Sequence, residues 1–188
     1  MAFIKIISEE DAEGRLKEIY EDISKKRGKL ANVHMAQSLN PESIVHHMDL
    51  YIHLLYGKSP LKRYQREMIA TIVSVATGCG YCQAHHGAAL NHFWKNETKI
   101  AQLKADYTKL SLSKADELLC DYAWTLTKKP EKTKKESLFV APLKEQGFSD
   151  LAILDATLII SYFNFVNRIM NGLGVELEGD QGKGYNYD

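Results

Sequence analysis

Two thiols and an imidazole share one short stretch, Cys79-Gly80-Tyr81-Cys82-Gln83-Ala84-His85-His86, and their types and spacing suit a dithiol redox centre with its own base. If Tyr81 to Lys95 is helical, Cys82 and His86 stand at i and i+4, with roughly 5 to 6 Å between their Cβ atoms. The imidazole can then reach the sulfur. A helix N-terminus carries partial positive charge, so Cys82 in the first turn is expected to be more acidic than a free cysteine. The chemistry that follows is attack on an electrophilic oxygen or sulfur. Glu67 is the last charge before the apolar run Met68-Ile69-Ala70-Thr71-Ile72-Val73-Ser74-Val75-Ala76. Two readings of it stand open. One is a surface glutamate paired with Arg63 at i−4. The other is a desolvated carboxylate near His86 or Cys79 that fixes the imidazole tautomer or passes a proton.

The same residues admit other assignments. Cys79 and Cys82 could be small buried hydrophobes, or they could join His85 and His86 as four zinc ligands. Adjacent histidines point about 100° apart on a helix, which makes it hard for both to meet both sulfurs at one ion. Covalent c-type haem is excluded because Gln83, not histidine, follows the second cysteine. Cys120, among Leu118, Leu119 and Tyr122, reads as structural. His46, Asp49 and His53 share a helix face and could line a pocket or bind a metal, but their spacing equally suits solvated or core-edge side chains. His34, His47 and His92 carry no spacing argument. Asn164, Asn167 and Arg168 could bind an anionic group or make hydrogen bonds between helices or subunits.

Helical periodicity dominates the elements that must position these groups, and strand-like alternation is almost absent, so the chain reads as all-α. Ser8 and Asp11 suggest a helix from about Glu9 to Lys26 ended by Gly28, and Pro41 opens another through Tyr56. Leu61 to Thr77 makes a third, stopped by Gly78, and the thiol helix follows. Ser113 to Lys128 and Lys134 to Gln146 are further amphipathic segments. Ser149 caps the last helix, Asp150 to about Leu173, whose apolar residues wrap much of its circumference. That helix is expected to be central or at a subunit interface. A faint echo relates Pro60–Leu90 to Pro130–Leu173, with Glu67 against Asp155 and Ser74 against Ser161, and suggests a duplicated helical hairpin. The chain is thus expected to be one domain over 1–188, with a thiol-bearing half at about 41–95, a second half at about 113–174, and a loose or partner-draped polar tail at 175–188.

Composition narrows the functions. The 188 residues include 24 basic and 24 acidic side chains, so no net field favours nucleic acid or an anionic membrane. The apolar run of the last helix is interrupted well short of a membrane span. The amino end meets Glu9, Glu10 and Asp11 too early for a secretory segment, and three cysteines do not make a secreted disulfide framework. A cytoplasmic location is the expectation.

The segment Arg66-Glu67 through Val73-Ser74 to Cys79-Gly80-Tyr81-Cys82 and His86 resembles the AhpD-like alkylhydroperoxidases of the carboxymuconolactone decarboxylase superfamily. The intervals match as well: twelve residues from Glu67 to Cys79, three to Cys82, four more to His86. Tyr162-Phe163-Asn164-Phe165-Val166-Asn167-Arg168, followed by Gly172-Leu173-Gly174-Val175-Glu176-Leu177, looks like the peroxidase-related branch, and the resemblance covers roughly Pro41 to Leu177. It implies an AhpD-like helical bundle assembled into homo-oligomers such as trimers or hexamers. It also implies a hydroperoxide substrate, no bound cofactor, and an external dithiol reductant. By position Cys82 is then the peroxidatic thiolate, Cys79 the resolving thiol, His86 the base and Glu67 the start of a proton relay. Some members carry histidine where Tyr81 stands here, so a relay step at that position does not transfer. A non-redox decarboxylase-like enzyme and a metal-binding or oligomeric interaction module are the alternatives. The superfamily's decarboxylases generally lack the cysteine pair.

Overall fold

The computed structural model describes residues 2–180 and 184–185, and among them the regular elements are all helical. In chain order they are α1 (Gly14–Arg27), α2 (Asn32–Met35), α3 (Pro41–Tyr56), α4 (Arg63–Thr77), α5 (Gly80–Trp94), α6 (Glu97–Asp106), α7 (Lys114–Lys128), α8 (Val140–Glu145) and α9 (Asp150–Leu173), with short 3-10 turns flanking α7 and α8. The sequence signals that set most boundaries are local. Pro41 occupies the first turn of α3, and Gly78 ends α4 with φ of 71°, a left-handed conformation that glycine adopts without Cβ strain. Ser113 and Ser149 each accept a backbone N–H from the first turn of α7 and α9.

Three expectations are corrected. The first long helix begins at Gly14, not Glu9, because the Ser8 and Asp11 side chains pair with each other in a tight turn that precedes the helix. The Lys134–Gln146 segment yields only the six-residue α8, since Pro142 in its first turn has no N–H to carry a helix back toward Lys134. That uneven second stretch also does not reproduce the α4–α5 hairpin, in which both helices have 15 residues. α6 was not anticipated, being short with only Ile100 and Leu103 buried.

α4 is the axis of the molecule and packs against α5, α7 and α9. Met68, Ile69, Ala70, Ile72 and Val73 are fully buried, each large side chain contributing about 1.5–3 kcal/mol of burial. Thr71 and Ser74 are tolerated in that environment because each donates its hydroxyl to the carbonyl four residues back, Glu67 at 2.8 Å and Ala70 at 2.7 Å. α1, α2 and α3 pack on one flank of this core, with Leu16, Ile19, Tyr20, Ile23 and Ile44 forming a smaller cluster. The loop from α3 to α4 is stapled by Arg66. Its guanidinium donates to the carbonyls of Leu55 (3.0 Å), Gly57 (2.8 Å) and Leu61 (3.0 Å).

The tail read as loose is docked on its own chain through residue 180. Val175 N–H donates to Met170 O at 3.0 Å, Asn32 Nδ2 donates to Glu176 O at 2.9 Å, and Lys29 pairs with Asp180. Residues 181–183 and 186–188 of that tail lie outside the described residues, as does Met1.

Candidate active site

The sharp turn at Gly78 brings α5 antiparallel to α4 and makes Cys79 the N-cap of α5. Its sulfur accepts the Cys82 backbone N–H at 3.3 Å and lies 2.6 Å from Cys82 Sγ. None of the three cysteines is in a disulfide bond in the structure. The helix end therefore favours a thiolate on Cys79, whose pKa falls through the hydrogen bond from Cys82 and the backbone N–H groups, against the opposing effect of burial. Cys82 moves the other way, because burial and the neighbouring sulfur push its pKa up. This direction is opposite to the one expected from its place in the first turn, which was a Cys82 more acidic than a free cysteine.

Glu67 combines the two readings left open for it. It is fully buried, and its Oε1 pairs with Arg63 Nη1 at 2.6 Å while its Oε2 meets His86 Nδ1 at 2.7 Å. Arg63 lies over the rings of Tyr56 (4.2 Å) and Phe93 (5.7 Å), and these faces and Glu67 offset the desolvation of a guanidinium whose Nε and Nη2 are buried without a hydrogen-bond partner among the described residues. Burial raises the Glu67 pKa, but the bonds and charges of His86 and Arg63 outweigh it, and the net shift is downward. An ionised Glu67 takes the Nδ1–H of His86, which leaves Nε2 as the bare, basic nitrogen. Phe163 packs edge-on against the imidazole with centroids 4.4 Å apart and limits its rotation. His86 makes no hydrogen bond to Cys82 among the described residues, contrary to the contact expected from their spacing. Both instead border the same cavity.

That cavity, about 80 Å³, is lined by Cys82 but not by Cys79. Its aromatic walls include Tyr51, Tyr81, Tyr162 and Phe163. His34 and His47, which carry no spacing signal, form part of its surface. Ala31 N–H donates to His34 Nδ1 at 3.1 Å, and the Gln37 amide, which also donates to Val33 O, lies 3.0 Å from His47 Nδ1. Each bond fixes the neutral tautomer with hydrogen on Nε2. Burial lowers the His34 pKa to about 3 and that of His47 to about 4. These two side chains therefore stay uncharged at neutral pH.

A second glutamate, from the tail, holds two of the residues that line the cavity. Glu178 Oε2 lies 2.8 Å from His85 Nε2, and Oε1 accepts the Tyr81 hydroxyl at 2.7 Å and Asn32 N–H at 2.7 Å. His85 and His86 thus point to different carboxylates, not to one ion with both sulfurs. Nothing in the composition of residues 175–180 flags Glu178, because its place depends on how the chain folds back from α9.

The remaining candidates lie elsewhere. His46, Asp49 and His53 are exposed on the opposite side of α3 from His47. Asn167 Nδ2 donates to Ser74 Oγ (3.3 Å) and Thr77 Oγ1 (3.0 Å), Asn164 Nδ2 donates to Thr127 Oγ1 (2.9 Å), and Arg168 turns back onto Asn164. These residues tie α9 to α4 and α7, the interhelical alternative. Cys120 is fully buried and its pKa is pushed up by burial.

Comparison with known proteins follows the same lines. Residues 45–105 match the carboxymuconolactone decarboxylase family model. An uncharacterized peroxidase-related protein with an alkylhydroperoxidase AhpD core, from Ralstonia eutropha JMP134, superposes with a TM-score of 0.85 at 22% identity, over 96% of this chain and 94% of its own. An uncharacterized peroxidase-related protein from Silicibacter sp. TM1040 gives 0.81 at 25% identity, over 96% and 91%. The debrominase Bmp8, in a complex with 2,3,4-tribromopyrrole, gives 0.77 at 21% identity, over 95% and 92%. Among curated proteins, none matches this sequence.

Proposed function

We propose that this chain, which belongs to the AhpD-like carboxymuconolactone decarboxylase superfamily, is a thiol-dependent peroxidase that reduces hydroperoxides through the Cys79–Cys82 pair. The observation that carries the reading is the pair of sulfurs 2.6 Å apart, one of them facing a cavity that a glutamate-fixed histidine shares. Cys82 is the attacking thiol because it lines the cavity. Its raised pKa makes a base necessary, and His86 Nε2 takes its proton while Glu67 stabilises the imidazolium. The Cys82 sulfur then donates an electron pair to the distal peroxide oxygen. The S–O bond forms as the O–O bond breaks, and alkoxide leaves as alcohol once protonated. Cys79, already favoured as thiolate by its N-cap position, attacks the sulfenic sulfur, which closes the disulfide and releases water. An external dithiol restores the pair by exchange. On this reading the protein works in a reducing compartment such as the cytoplasm. The described residues include no helix long and apolar enough to cross a membrane.

A second reading, reductive dehalogenation by the same dithiol, draws on the aromatic cavity walls, which suit a flat ring, and on the fold shared with Bmp8. Both readings are tested together by following consumption of hydrogen peroxide and cumene hydroperoxide, and bromide release from 2,3,4-tribromopyrrole, under dithiothreitol. Peroxide loss that disappears in Cys82→Ser supports the peroxidase. Bromide release without peroxide loss replaces it with the second reading. Full peroxide turnover by Cys82→Ser but not by Cys79→Ser would reverse the roles of the two thiols.

Homo-oligomerisation belongs to the same proposal. α9 exposes Leu151, Leu154, Leu158 and Phe165, each more than 40% accessible, at alternating spacings of three, four and seven, the stripe that lets one helix pack along another. A second copy of the chain would cover it.

A further inference from the structure

Cys82 has a histidine at i+3 as well as at i+4, and the two are bound in opposite senses. Glu67 holds Nδ1 of His86 and leaves its Nε2 free for the cavity, whereas Glu178 holds Nε2 of His85. His85 lines the same cavity as Cys82 and His86. Its ring lies against Tyr81 with centroids 4.4 Å apart and planes inclined by 31°, and Tyr81 is itself anchored at both ends of its hydroxyl, accepting Val33 N–H at 3.2 Å and donating to Glu178. His85 is therefore held on two sides. Burial would protonate Glu178, but the bonds from His85, Tyr81 and the Asn32 N–H reverse that and bring its pKa down to about 2. A carboxylate that stays ionised against one nitrogen of an imidazole stabilises the cation that carries a proton on the other.

We infer that His85 is a second catalytic histidine, the general acid that protonates the departing oxygen, with Glu178 and Tyr81 as its positioning residues. The inference rests on the peroxidase reading. Alkoxide is a strong base and leaves slowly without a proton. While His86 accepts the Cys82 proton and the sulfur gives its electron pair to the distal oxygen, the imidazolium of His85 transfers its Nδ1 proton to the leaving alkoxide. The products are a sulfenic acid, an alcohol, protonated His86 and neutral His85. Exchange with water returns both imidazoles to their starting states.

Leaving groups of different basicity give the test. Single-turnover modification of Cys82 is followed by rapid quench and mass spectrometry in the wild type, Glu178→Gln and His85→Gln, using three probes. tert-Butyl hydroperoxide expels a basic alkoxide, peracetic acid expels acetate, which needs no proton, and iodoacetamide expels iodide and reports only thiolate and access. Both variants are expected to lose about a hundredfold or more with tert-butyl hydroperoxide, the usual range for a general acid, and less than about threefold with the other two. A uniform loss over all three probes would show that the residues only shape the cavity, and no loss would show that His86 serves both ends of the reaction. Either result overturns the inference. A wild type that alkylates readily yet reacts with neither peroxide sinks the peroxidase reading itself, and that pattern is visible before any variant is compared.

Discussion

Lowering the pH from 8 to 5 should destabilise this protein through two specific side chains. His34 and His47 ionise near pH 3 and 4 in the folded protein because burial disfavours their cations, whereas an unfolded histidine takes up a proton near 6.5. The stability they confer is complete above pH 6.5. It falls as the pH drops below that value, because only the unfolded chain gains the proton, and it continues to fall until the folded pKa is reached. At pH 5 the loss is about 1.5 units of 1.36 kcal/mol, or roughly 2 kcal/mol for each histidine and roughly 4 kcal/mol for the two. That is a large part of the 5–15 kcal/mol typical of a domain. Urea unfolding followed by helical circular dichroism at the two pH values measures it, with His34→Gln/His47→Gln alongside the wild type. The double variant should lose roughly 4 kcal/mol less than the wild type between pH 8 and 5. It can be weaker at both pH values and still report, since the difference is the readout. An equal loss in the two proteins would refute the assignment of these histidines as buried and neutral.

Three further outcomes follow from the structure. Glu67→Gln keeps the shape but weakens the anion that holds the His86 tautomer, so peroxide reduction should slow by about ten- to a hundredfold while the disulfide still forms; an unchanged single-turnover rate would leave Glu67 a structural role only. Arg66→Met strands the carbonyls of Leu55, Gly57 and Leu61, and at about 1–3 kcal/mol for each buried unpaired group urea unfolding should show a loss of about 3 kcal/mol or more, against which a loss below 1 kcal/mol would count. Leu154→Glu on the exposed stripe of α9 should shift the sedimenting species to a smaller assembly without changing the helical spectrum, and an unaltered distribution would move the interface elsewhere.

Much of this arrangement could be read before folding, and the exceptions have physical causes. Pro41, Gly78, Ser113 and Ser149 act within one turn of chain, so the helices they delimit stand where the sequence put them. The spacing that joins Glu67, Cys79, Cys82 and His86 was legible because α4 and α5 are consecutive and antiparallel. His34, His47 and Glu178 were not. The two histidines line the cavity and Glu178 holds two of its lining residues only because α2, α3 and the tail close over α5, contacts separated in sequence by up to 146 residues for the Asn32–Glu178 bond. The tail has few aliphatic residues, which predicts little order, yet part-buried polar bonds of Glu178 and Asn32 hold it through residue 180. A helix start at Tyr81 is one residue later than the observed Gly80, and that single residue separates Cys79 from the N-cap position it occupies.

The most direct measurement on the central claim is the fate of one equivalent of hydrogen peroxide added to Cys79→Ser in the presence of dimedone, with peptide mass spectrometry to locate the adduct. Without its resolving partner, Cys82 should be trapped as the sulfenic acid adduct, while Cys120, sealed in the core, stays unmodified. In the wild type the same oxidant and dimedone should yield a Cys79–Cys82 disulfide and no adduct. An adduct on Cys120, or no oxidation of Cys82 at all, would contradict the account.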